Sequence, residues 1–396
     1  MSRILMATNL FFPLNGGSEH VIYETSRRLV ERGHEVHVLT ERTKEEWPLE
    51  DSVEGIQIHR CPVRFDSSLR RFSSGIMNAA RLFRTLNASK PFDLLHFHLT
   101  MTSTAVLLCR ASKRIARIST FHGPWHTENL IEQTANRWWQ PGQIKASVFK
   151  KMQKYVLTRS DQIVVLSRFS KSLLDNLIGS DTPSVRIPGG ADLERFQPAP
   201  DRDAVRQRLG LAISAKVLLT VRRLVPRMGI DALIGAMPGI LKVQTDAILV
   251  VCGTGPMRKG LEQLAKDLGV SDSIVFKGYI PDELLPLYYQ AADLFILPTR
   301  ALEGFGLSTV EALACGTPVA GTSIGATAEI LSDLDAKFLI PESTPKAISD
   351  TTLACIETAC DSHFRSRCRT YAEDNYDWEQ IVNELENVYT AALRSS

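Results

Sequence analysis

The sequence predicts two α/β domains, each built on a doubly wound parallel sheet. Short, continuously apolar segments alternate with helix-like segments along the whole chain. Strands without polar alternation are typical of parallel sheets that helices cover on both faces. Proline and glycine crowd residues 189–200, and a new series of strands and helices begins at Lys216. We therefore predict one domain over residues 1–193, a second over residues 194–371 and a terminal helical segment over residues 372–396.

Each domain has its own set of predicted strands. In the first domain the apolar segments are residues 4–9, 35–40, 56–62, 93–98, 117–121, 162–166 and 185–188. In the second domain they are residues 217–221, 247–252, 274–278, 294–297, 318–321 and 337–340. Ligands of doubly wound sheets bind outside the carboxyl ends of the strands, where backbone amides and helix N-termini converge. With two such domains, we expect the ligand site in a cleft between them.

The composition is typical of a folded protein without disulfides or membrane spans. Hydrophobic residues make up 44% of the chain and charged residues 23%, as in ordinary globular domains. The seven cysteines are scattered and form no Cys-x-x-Cys pair, which argues against a disulfide framework or a zinc site. No secretory signal follows Met1, and no apolar run reaches the ~18 residues that a membrane span needs. We therefore expect a cytoplasmic protein.

Residues 298–319 carry the most informative motif: a strand end, a loop with two glycines, a helix and the next strand. Gly304 and Gly306 let a ligand approach the backbone because no Cβ blocks it. The following helix presents free N–H groups and its positive dipole end, which suit phosphate. Glu303 can accept hydrogen bonds from sugar hydroxyls, and Glu311 can hold both hydroxyls of a ribose. Singly, each glutamate could be a surface acid, but the combined context favours a nucleotide-sugar site.

The Glu-x7-Glu spacing, followed by Ala-Leu-Ala-Cys-Gly-Thr-Pro-Val at residues 312–319, resembles the family 4 retaining glycosyltransferases. Further segments match in order and spacing, at residues 12–17, 33–36, 96–98, 120–123, 187–196, 223–226, 253–256 and 276–279. The resemblance implies the GT-B fold, in which two Rossmann-like domains face a central cleft. It also implies that the first domain holds the acceptor, the second holds the donor, and the terminal helix crosses back to the first.

The resemblance further implies the reaction. A hexose-type sugar would move from a nucleotide sugar, most often a UDP-sugar in this family, to a hydroxyl acceptor with retention of its anomeric configuration. A glycolipid, a polyprenyl-linked glycan or a small glycoside would be a suitable acceptor. A sugar-nucleotide 2-epimerase of the same fold and a non-catalytic sugar-nucleotide binding protein are the two alternatives.

Site residues follow from the resemblance position by position. His122, Glu303 and Arg223 are the implied catalytic residues: His122 beside the donor sugar, Glu303 on its hydroxyls and Arg223 on the leaving diphosphate. Glu311 would hold the ribose, and Trp125 and His126 could contact the acceptor. The other implied donor-binding residues are Gly16, Gly17, Arg222, Gly253, Gly255, Arg258, Tyr279, Ile280, Gly304, Phe305, Gly306 and Leu307.

One segment departs from the family pattern, which has Gly-Arg-Leu and then a lysine immediately before the next glycine. Here Arg222 stands at the first glycine position and Met228 at the lysine position. Methionine cannot pair with diphosphate. Our hypothesis is that Arg222 or Arg227 supplies the missing cation; the alternative is that both are solvated surface arginines.

Neither a metal nor a cofactor is expected. The Asp-x-Asp pairs at residues 201–203 and 333–335 fall in the presumed linker and in a late loop, so chance explains them best. The turn at residues 253–258 lacks the third glycine of a dinucleotide-binding fingerprint, because Arg258 stands there. His96 and His98 are expected to point to opposite faces of their strand, with His98 toward the cleft and His96 packed.

The first half of the chain is the basic half. Residues 60–90 combine arginines with apolar residues at helical spacing, and such a helix can lie on an anionic membrane. A solvated helix packed on its own domain is the alternative. We expect a nucleotide-sugar donor and a hydroxyl acceptor that could be lipid-linked. Peripheral contact with the inner face of the cell membrane through residues 60–90 is a hypothesis, and both interpretations of the helix stay open. No nucleic-acid partner is expected, and the oligomeric state cannot be inferred.

Overall fold

The computed structural model describes residues 1–14, 16–64, 68–125, 127 and 142–395, which form two compact α/β units. One unit contains the chain up to Gly189 together with residues 378–395, and the other is Gly190–Asp377. In the second unit, the backbone N–H of Ala191 donates to the carbonyl of Tyr376 over 2.8 Å. This bond joins the two ends of the unit, which lie a few residues from the predicted boundaries.

The first unit is an eight-stranded sheet with helices, as far as the described residues show. The strands are β1 (Arg3–Ala7), β2 (Glu35–Glu41), β3 (Glu50–Val53), β4 (Ile56–Cys61), β5 (Leu94–Phe97), β6 (Ala116–Phe121), β7 (Gln162–Val165) and β8 (Ser184–Arg186). They are ordered β3-β4-β2-β1-β5-β6-β7-β8, and β3 is antiparallel to β4. The helices of the unit are α1 (Gly17–Glu31), α2 (Ser68–Ser89), α3 (Thr100–Leu107), α4 (Gly142–Leu157), α5 (Arg168–Ile178) and, at the end of the chain, α14 (Trp378–Ser395).

The second unit is a six-stranded, all-parallel sheet. Its strands are β9 (Lys216–Val221), β10 (Ala247–Cys252), β11 (Ile274–Gly278), β12 (Leu294–Leu297), β13 (Val319–Thr322) and β14 (Leu339–Ile340). The helices are α6 (Arg202–Leu209), α7 (Ile230–Leu241), α8 (Arg258–Asp267), α9 (Leu285–Ala291), α10 (Leu307–Ala314), α11 (Ala326–Asp335), α12 (Pro345–Cys360) and α13 (Ser362–Tyr376). The order β11-β10-β9-β12-β13-β14 reverses direction between β9 and β12, where doubly wound sheets bind ligands.

The predicted pair of Rossmann-like domains is confirmed. The central strands are fully buried, as the continuous apolar segments require; Ile4, Leu5 and Met6 of β1 have no exposed surface. The predicted strands are present to within a few residues at their ends. Strand β3 was missed because it is a polar edge strand without a buried residue, and charged edges of this kind resist pairing with other chains.

Helix α2 packs on its own unit. Ala79 and Phe83 are buried in the core against β1 and β5, while Arg70, Arg81 and Arg84 are exposed. The apolar stripe of this helix is therefore already covered by protein, as the alternative to membrane binding predicted. Among the described helices, none has the length and apolar character that a bilayer crossing requires.

Helix α14 is attached to α1 by charge and by an aromatic anchor. Arg32 donates to Glu379 over 2.7 Å, and the Nε2 atom of His34 lies 2.9 Å from Glu386. Hydrogen bonding from Arg32 lowers the pKa of Glu379. Trp378 is buried at the start of the helix, with the guanidinium of Arg28 over its ring. The terminal helix is thus an integral part of the first unit.

We predict that Trp378→Ala destabilises the first unit by ~3–5 kcal/mol, the usual cost of emptying a buried tryptophan site. Denaturant unfolding followed by circular dichroism measures the change. Glu384→Ala, at an exposed position of the same helix, is the control and should cost less than ~0.5 kcal/mol. A loss below ~1 kcal/mol for Trp378→Ala would show that the anchor is dispensable.

Candidate functional site

The loop between β12 and α10 lies at the switch point of the second sheet and carries Glu303. Helix α10 begins at Leu307, and its N-cap is Gly306 with φ of +81°, a left-handed conformation that favours glycine. No side chain caps the helix, so its first N–H groups are available to an anion. The hydroxyl of Ser308 is buried in this first turn without a hydrogen-bond partner among the described residues. This end of α10 is therefore suited to a phosphate, and Ser308 was not anticipated from the sequence.

Glu303 is 8% exposed and is held on one oxygen. Its Oε2 atom accepts from the guanidinium of Arg222 and, over 3.4 Å, from the hydroxyl of Thr299. Its backbone carbonyl accepts from the N–H of Ala326 over 3.1 Å, which ties the loop to α11. The described residues supply no partner for Oε1. The carboxylate is therefore fixed in place with one oxygen available to accept hydrogen bonds.

The guanidinium of Arg222 is neither solvated nor without a partner, because it already donates to neighbouring side chains. Its Nη2 atom donates to Thr299 over 2.6 Å as well as to Glu303, so the arginine at the family's glycine position serves the acid. Arg227 donates to the carbonyl of Leu302 over 3.1 Å. The alternative that both arginines are solvated surface residues is wrong for Arg222, whose side chain is buried by this pairing. The hypothesis that Arg222 or Arg227 replaces the family's lysine stays a prediction.

Met228 belongs to the core of the second unit. It is 6% exposed in the short 3-10 turn Pro226–Met228, so the family's lysine position is occupied here by a buried apolar side chain. Arg223, one residue after Arg222, is solvent-exposed.

Glu311 lies inside α10 and is buried. The hydroxyl of Tyr289 on α9 donates to its Oε2 atom over 2.9 Å. Burial, and then the charge of Glu311, raise the pKa of Tyr289 well above its ordinary value, so this phenol stays protonated and keeps donating. Tyr289 was not found from the sequence because no motif spacing links it to Glu311.

The glycines after β10 are explained by packing inside the second unit. A Cβ on Gly253 would lie 1.8 Å from the carbonyl oxygen of Arg222, and one on Gly255 would lie 2.4 Å from that of Leu224. Arg258 at the start of α8 donates to Glu262 over 2.5 Å and to the carbonyl of Phe276 over 3.3 Å.

Tyr279 and Ile280, two of the implied donor-binding residues, follow β11. Tyr279 is 62% exposed and Ile280 is partly exposed, so both side chains are open to solvent in the second unit. The remaining nominated residues are on the loop or the first turn already described: Gly304, Phe305, Gly306 and Leu307. Phe305 is buried against Tyr376, which anchors the loop to α13.

In the first unit, the nominated residues follow the carboxyl ends of central strands. Gly16 is the N-cap of α1, and Gly17 has no atom within 4 Å of where a Cβ would stand. His122 follows β6, and Trp125 packs on Phe149 with ring centroids 4.7 Å apart. His126 lies outside the described residues.

His96, His98 and His122 form a stack of three rings, of which His96 and His98 are buried. The rings of His96 and His98 are 4.1 Å apart, and Nδ1 of His98 lies 3.1 Å from Nε2 of His122. The expectation that His96 and His98 face opposite sides is wrong. One residue separates them, and side chains two positions apart along a strand share a face.

The stack is uncharged near neutral pH. Burial lowers the pKa of His96 to about 3 and that of His122 to about 4, and it holds the pKa of His98 well below its ordinary value. The His96 ring uses both nitrogens, with Nδ1 2.7 Å from the hydroxyl of Tyr389 and Nε2 2.8 Å from that of Thr120. His122 therefore offers a neutral imidazole.

One residue of each acidic pair weighed as a metal ligand caps a helix. Asp201 accepts from the N–H of Ala204 at the start of α6, and Asp335 accepts from that of Lys337. Within the part of the chain that the structure describes, no group of three or more His, Cys, Asp or Glu residues is arranged to hold a metal ion.

Two family models match the chain in the order of its units. The model described as Glycosyltransferase Family 4 matches residues 15–195, and the one described as Glycosyl transferases group 1 matches residues 201–375.

Curated relatives are glycosyltransferases. A GDP-mannose-dependent alpha-(1-6)-phosphatidylinositol monomannoside mannosyltransferase of Mycolicibacterium smegmatis is 38% identical over 180 residues, which is 43% of this chain and 47% of the relative. A D-inositol 3-phosphate glycosyltransferase of Geodermatophilus obscurus is 28% identical over 95% of this chain and 85% of the relative.

Solved structures show the same fold. Sucrose-phosphate synthase from Thermosynechococcus elongatus superposes with a TM-score of 0.86 at 21% identity over the whole of both chains. Anabaena HepE, in complex with UDP and glucose, superposes with a TM-score of 0.77 at 20% identity over 99% of this chain and 100% of that one. With two family models that together span most of its length and a confirmed pair of Rossmann-like domains, the chain belongs to the family 4, group 1 glycosyltransferases of the GT-B fold.

Proposed function

We propose that this enzyme transfers a hexose from a nucleotide sugar to a hydroxyl acceptor with retention of configuration and without a metal. The observation that carries the proposal is the carboxylate of Glu303, which Arg222 and Thr299 hold on one oxygen while the other remains available. It lies at the switch point of the sheet, directly before an uncapped helix N-terminus. A fixed acceptor of hydrogen bonds beside an anion site fits a sugar joined to a diphosphate.

In this proposal the second unit binds the donor. Glu303 accepts hydrogen bonds from the sugar hydroxyls, and the amides around Gly306 and Leu307 bind the diphosphate. Glu311, oriented by Tyr289, takes the ribose hydroxyls. The exposed guanidinium of Arg223 neutralises the charge that builds on the leaving diphosphate. Further donor contacts are proposed for Gly16, Gly17, Gly253, Gly255, Arg258, Tyr279, Ile280, Gly304 and Phe305.

The proposed chemistry is attack from the face that the diphosphate leaves. The bond between the anomeric carbon and the phosphate oxygen breaks, and the acceptor oxygen bonds to the same face. The acceptor proton passes to the departing phosphate oxygen. We favour this route over a covalent intermediate because we find no carboxylate placed as a nucleophile among the residues that the structure describes. His122 is proposed to donate a hydrogen bond to the donor sugar.

The names of the relatives and of the solved structures support two different nucleotides for the sugar donor. The Mycolicibacterium relative is named for its dependence on GDP-mannose, whereas the Anabaena structure holds UDP and glucose. The sequence resemblance favoured UDP on family frequency alone, so we propose a nucleoside-diphosphate hexose with UDP and GDP as the bases to compare. The relatives named for inositol phosphate and phosphatidylinositol monomannoside support a polyol or a lipid-linked polyol as the acceptor.

The test is a product assay. UDP-glucose and GDP-mannose are each incubated with the enzyme, with D-inositol 3-phosphate or phosphatidylinositol in vesicles, with and without EDTA. We expect release of nucleoside diphosphate that depends on the acceptor, a product with the donor's anomeric configuration by NMR, and the same rate in EDTA. Epimerised donor without acceptor, or tight binding without turnover, would contradict the proposal. The relatives, which are named as transferases, give the epimerase alternative no support.

A lipid-linked acceptor would bring the enzyme to a membrane surface. We extend the proposal to electrostatic contact through residues 60–90, because Arg70, Arg81 and Arg84 of α2 are exposed while its apolar stripe is packed inside. The protein should co-sediment with anionic vesicles at low salt, and 0.5 M salt should release it. Equal sedimentation with neutral vesicles, or none with anionic ones, would remove this part of the proposal.

A further inference from the structure

His98 is a buried residue that the reaction scheme leaves unused. It is 7% exposed, directly after β5, with the ring of His96 on one side and that of His122 on the other. Its Nδ1 atom lies 3.1 Å from Nε2 of His122. Its other ring nitrogen, Nε2, is buried and has no hydrogen-bond partner among the described residues.

These contacts distinguish the two possible tautomers of the pair. Both rings are neutral near pH 7, because burial lowers both pKa values, so each ring carries one proton and a single proton lies between the two nitrogens. If His122 supplied that proton, Nε2 of His98 would be a buried N–H without an acceptor. If His98 supplies it from Nδ1, Nε2 of His98 keeps only a lone pair. Orphaned buried donors are rarer in proteins than under-satisfied acceptors.

We propose that His98 is a positioning residue that fixes the tautomer of His122. The Nδ1–H group of His98 donates to Nε2 of His122, so the proton of His122 resides on its own Nδ1 atom. Among the described residues, Nδ1 of His122 has no partner. His122 thereby presents a permanent N–H donor to a sugar hydroxyl. This inference rests on the proposed function, because the N–H group of His122 has a role only if a sugar binds beside it.

The rest of the stack keeps His98 in place. His96 is fastened at both nitrogens, by the hydroxyl of Tyr389 on α14 and by that of Thr120 on β6. Its ring covers His98 at 4.1 Å and leaves that side chain little freedom to rotate. The orientation of the N–H donor on His98 is therefore set by two neighbouring strands and by the terminal helix, all within the first unit.

The experiment combines NMR with kinetics. In protein labelled with ¹⁵N-histidine and free of substrate, the nitrogen shifts of His122, assigned with His122→Gln, distinguish a protonated Nδ1 from a protonated Nε2. The variants are His98→Leu, which removes the donor, and His98→Asn, whose amide nitrogen can take the place of Nδ1–H. His59→Leu is the matched control, because it removes another bond between histidine rings, the 2.8 Å contact with His37 in the same sheet.

We expect His122 to carry its proton on Nδ1 in the wild type and in His98→Asn, and to exchange between tautomers in His98→Leu. The kcat/KM value for the donor should fall about tenfold in His98→Leu, the usual worth of one well-placed hydrogen bond. His98→Asn should stay within about threefold, and His59→Leu should match the wild type.

A proton on Nε2 of His122 in the wild type would overturn the proposal, as would wild-type kcat/KM in folded His98→Leu. If His98→Leu does not fold, the wild-type spectrum still decides. If the chain transfers no sugar yet Nδ1 of His122 is protonated, the proposed function fails and the tautomer assignment stands.

Discussion

The ion pair between Arg222 and Glu303 is the interaction on which the candidate site of the second unit depends. Charged groups this deeply buried are costly unless they are paired and hydrogen-bonded, and here Thr299 contacts both partners. The pair spans from the end of β9 to the loop after β12, which are the two sides of the switch point. It therefore fixes the loop that leads into α10, and with it the position of an uncapped helix N-terminus. Our hypothesis from the sequence assigned Arg222 or Arg227 to the diphosphate, and in the structure the guanidinium of Arg222 pairs with the carboxylate of Glu303.

The two units bring different electrostatics to the proposed reaction. The second unit supplies charge: a fixed carboxylate, the guanidinium of Arg223 and the amides of α10. The first unit supplies an uncharged stack of histidines, since burial keeps their pKa values far below neutral. The proposed arrangement has a neutral hydrogen-bond donor near the sugar and fixed cationic groups near the diphosphate. This matches the negative charge that develops when a nucleoside diphosphate departs. Neither the histidine stack nor the charged groups of the second unit need a metal ion for their proposed roles.

Much of the fold could be predicted from the sequence because buried parallel strands are read directly as apolar segments. The polar edge strand β3 could not, since it pairs with β4 alone and has no buried residue. The glycine loop and Glu303 were identified from local spacing. Partners that come from distant elements, such as Tyr289 for Glu311 and Tyr389 for His96, leave no such spacing. The prediction that His96 and His98 point to opposite faces was wrong for a different reason. Side chains alternate along a strand with a period of two residues, so these two share a face.

The structure accommodates the departure from the family pattern at Met228. A buried methionine occupies the family's lysine position, and Arg222 pairs with Glu303, the proposed sugar-binding acid. A double-mutant cycle on kcat/KM for the donor, with Arg222→Met, Glu303→Gln and the double variant, tests this most directly. Arg300→Met, which breaks an exposed pair with Asp231 and a 3.4 Å hydrogen bond to the carbonyl of Pro226, is the control. If Arg222 acts through Glu303, each single variant should lose ~10²-fold and the double variant little more. Losses that multiply, with the double variant near ~10⁴-fold, would show that the two side chains act independently.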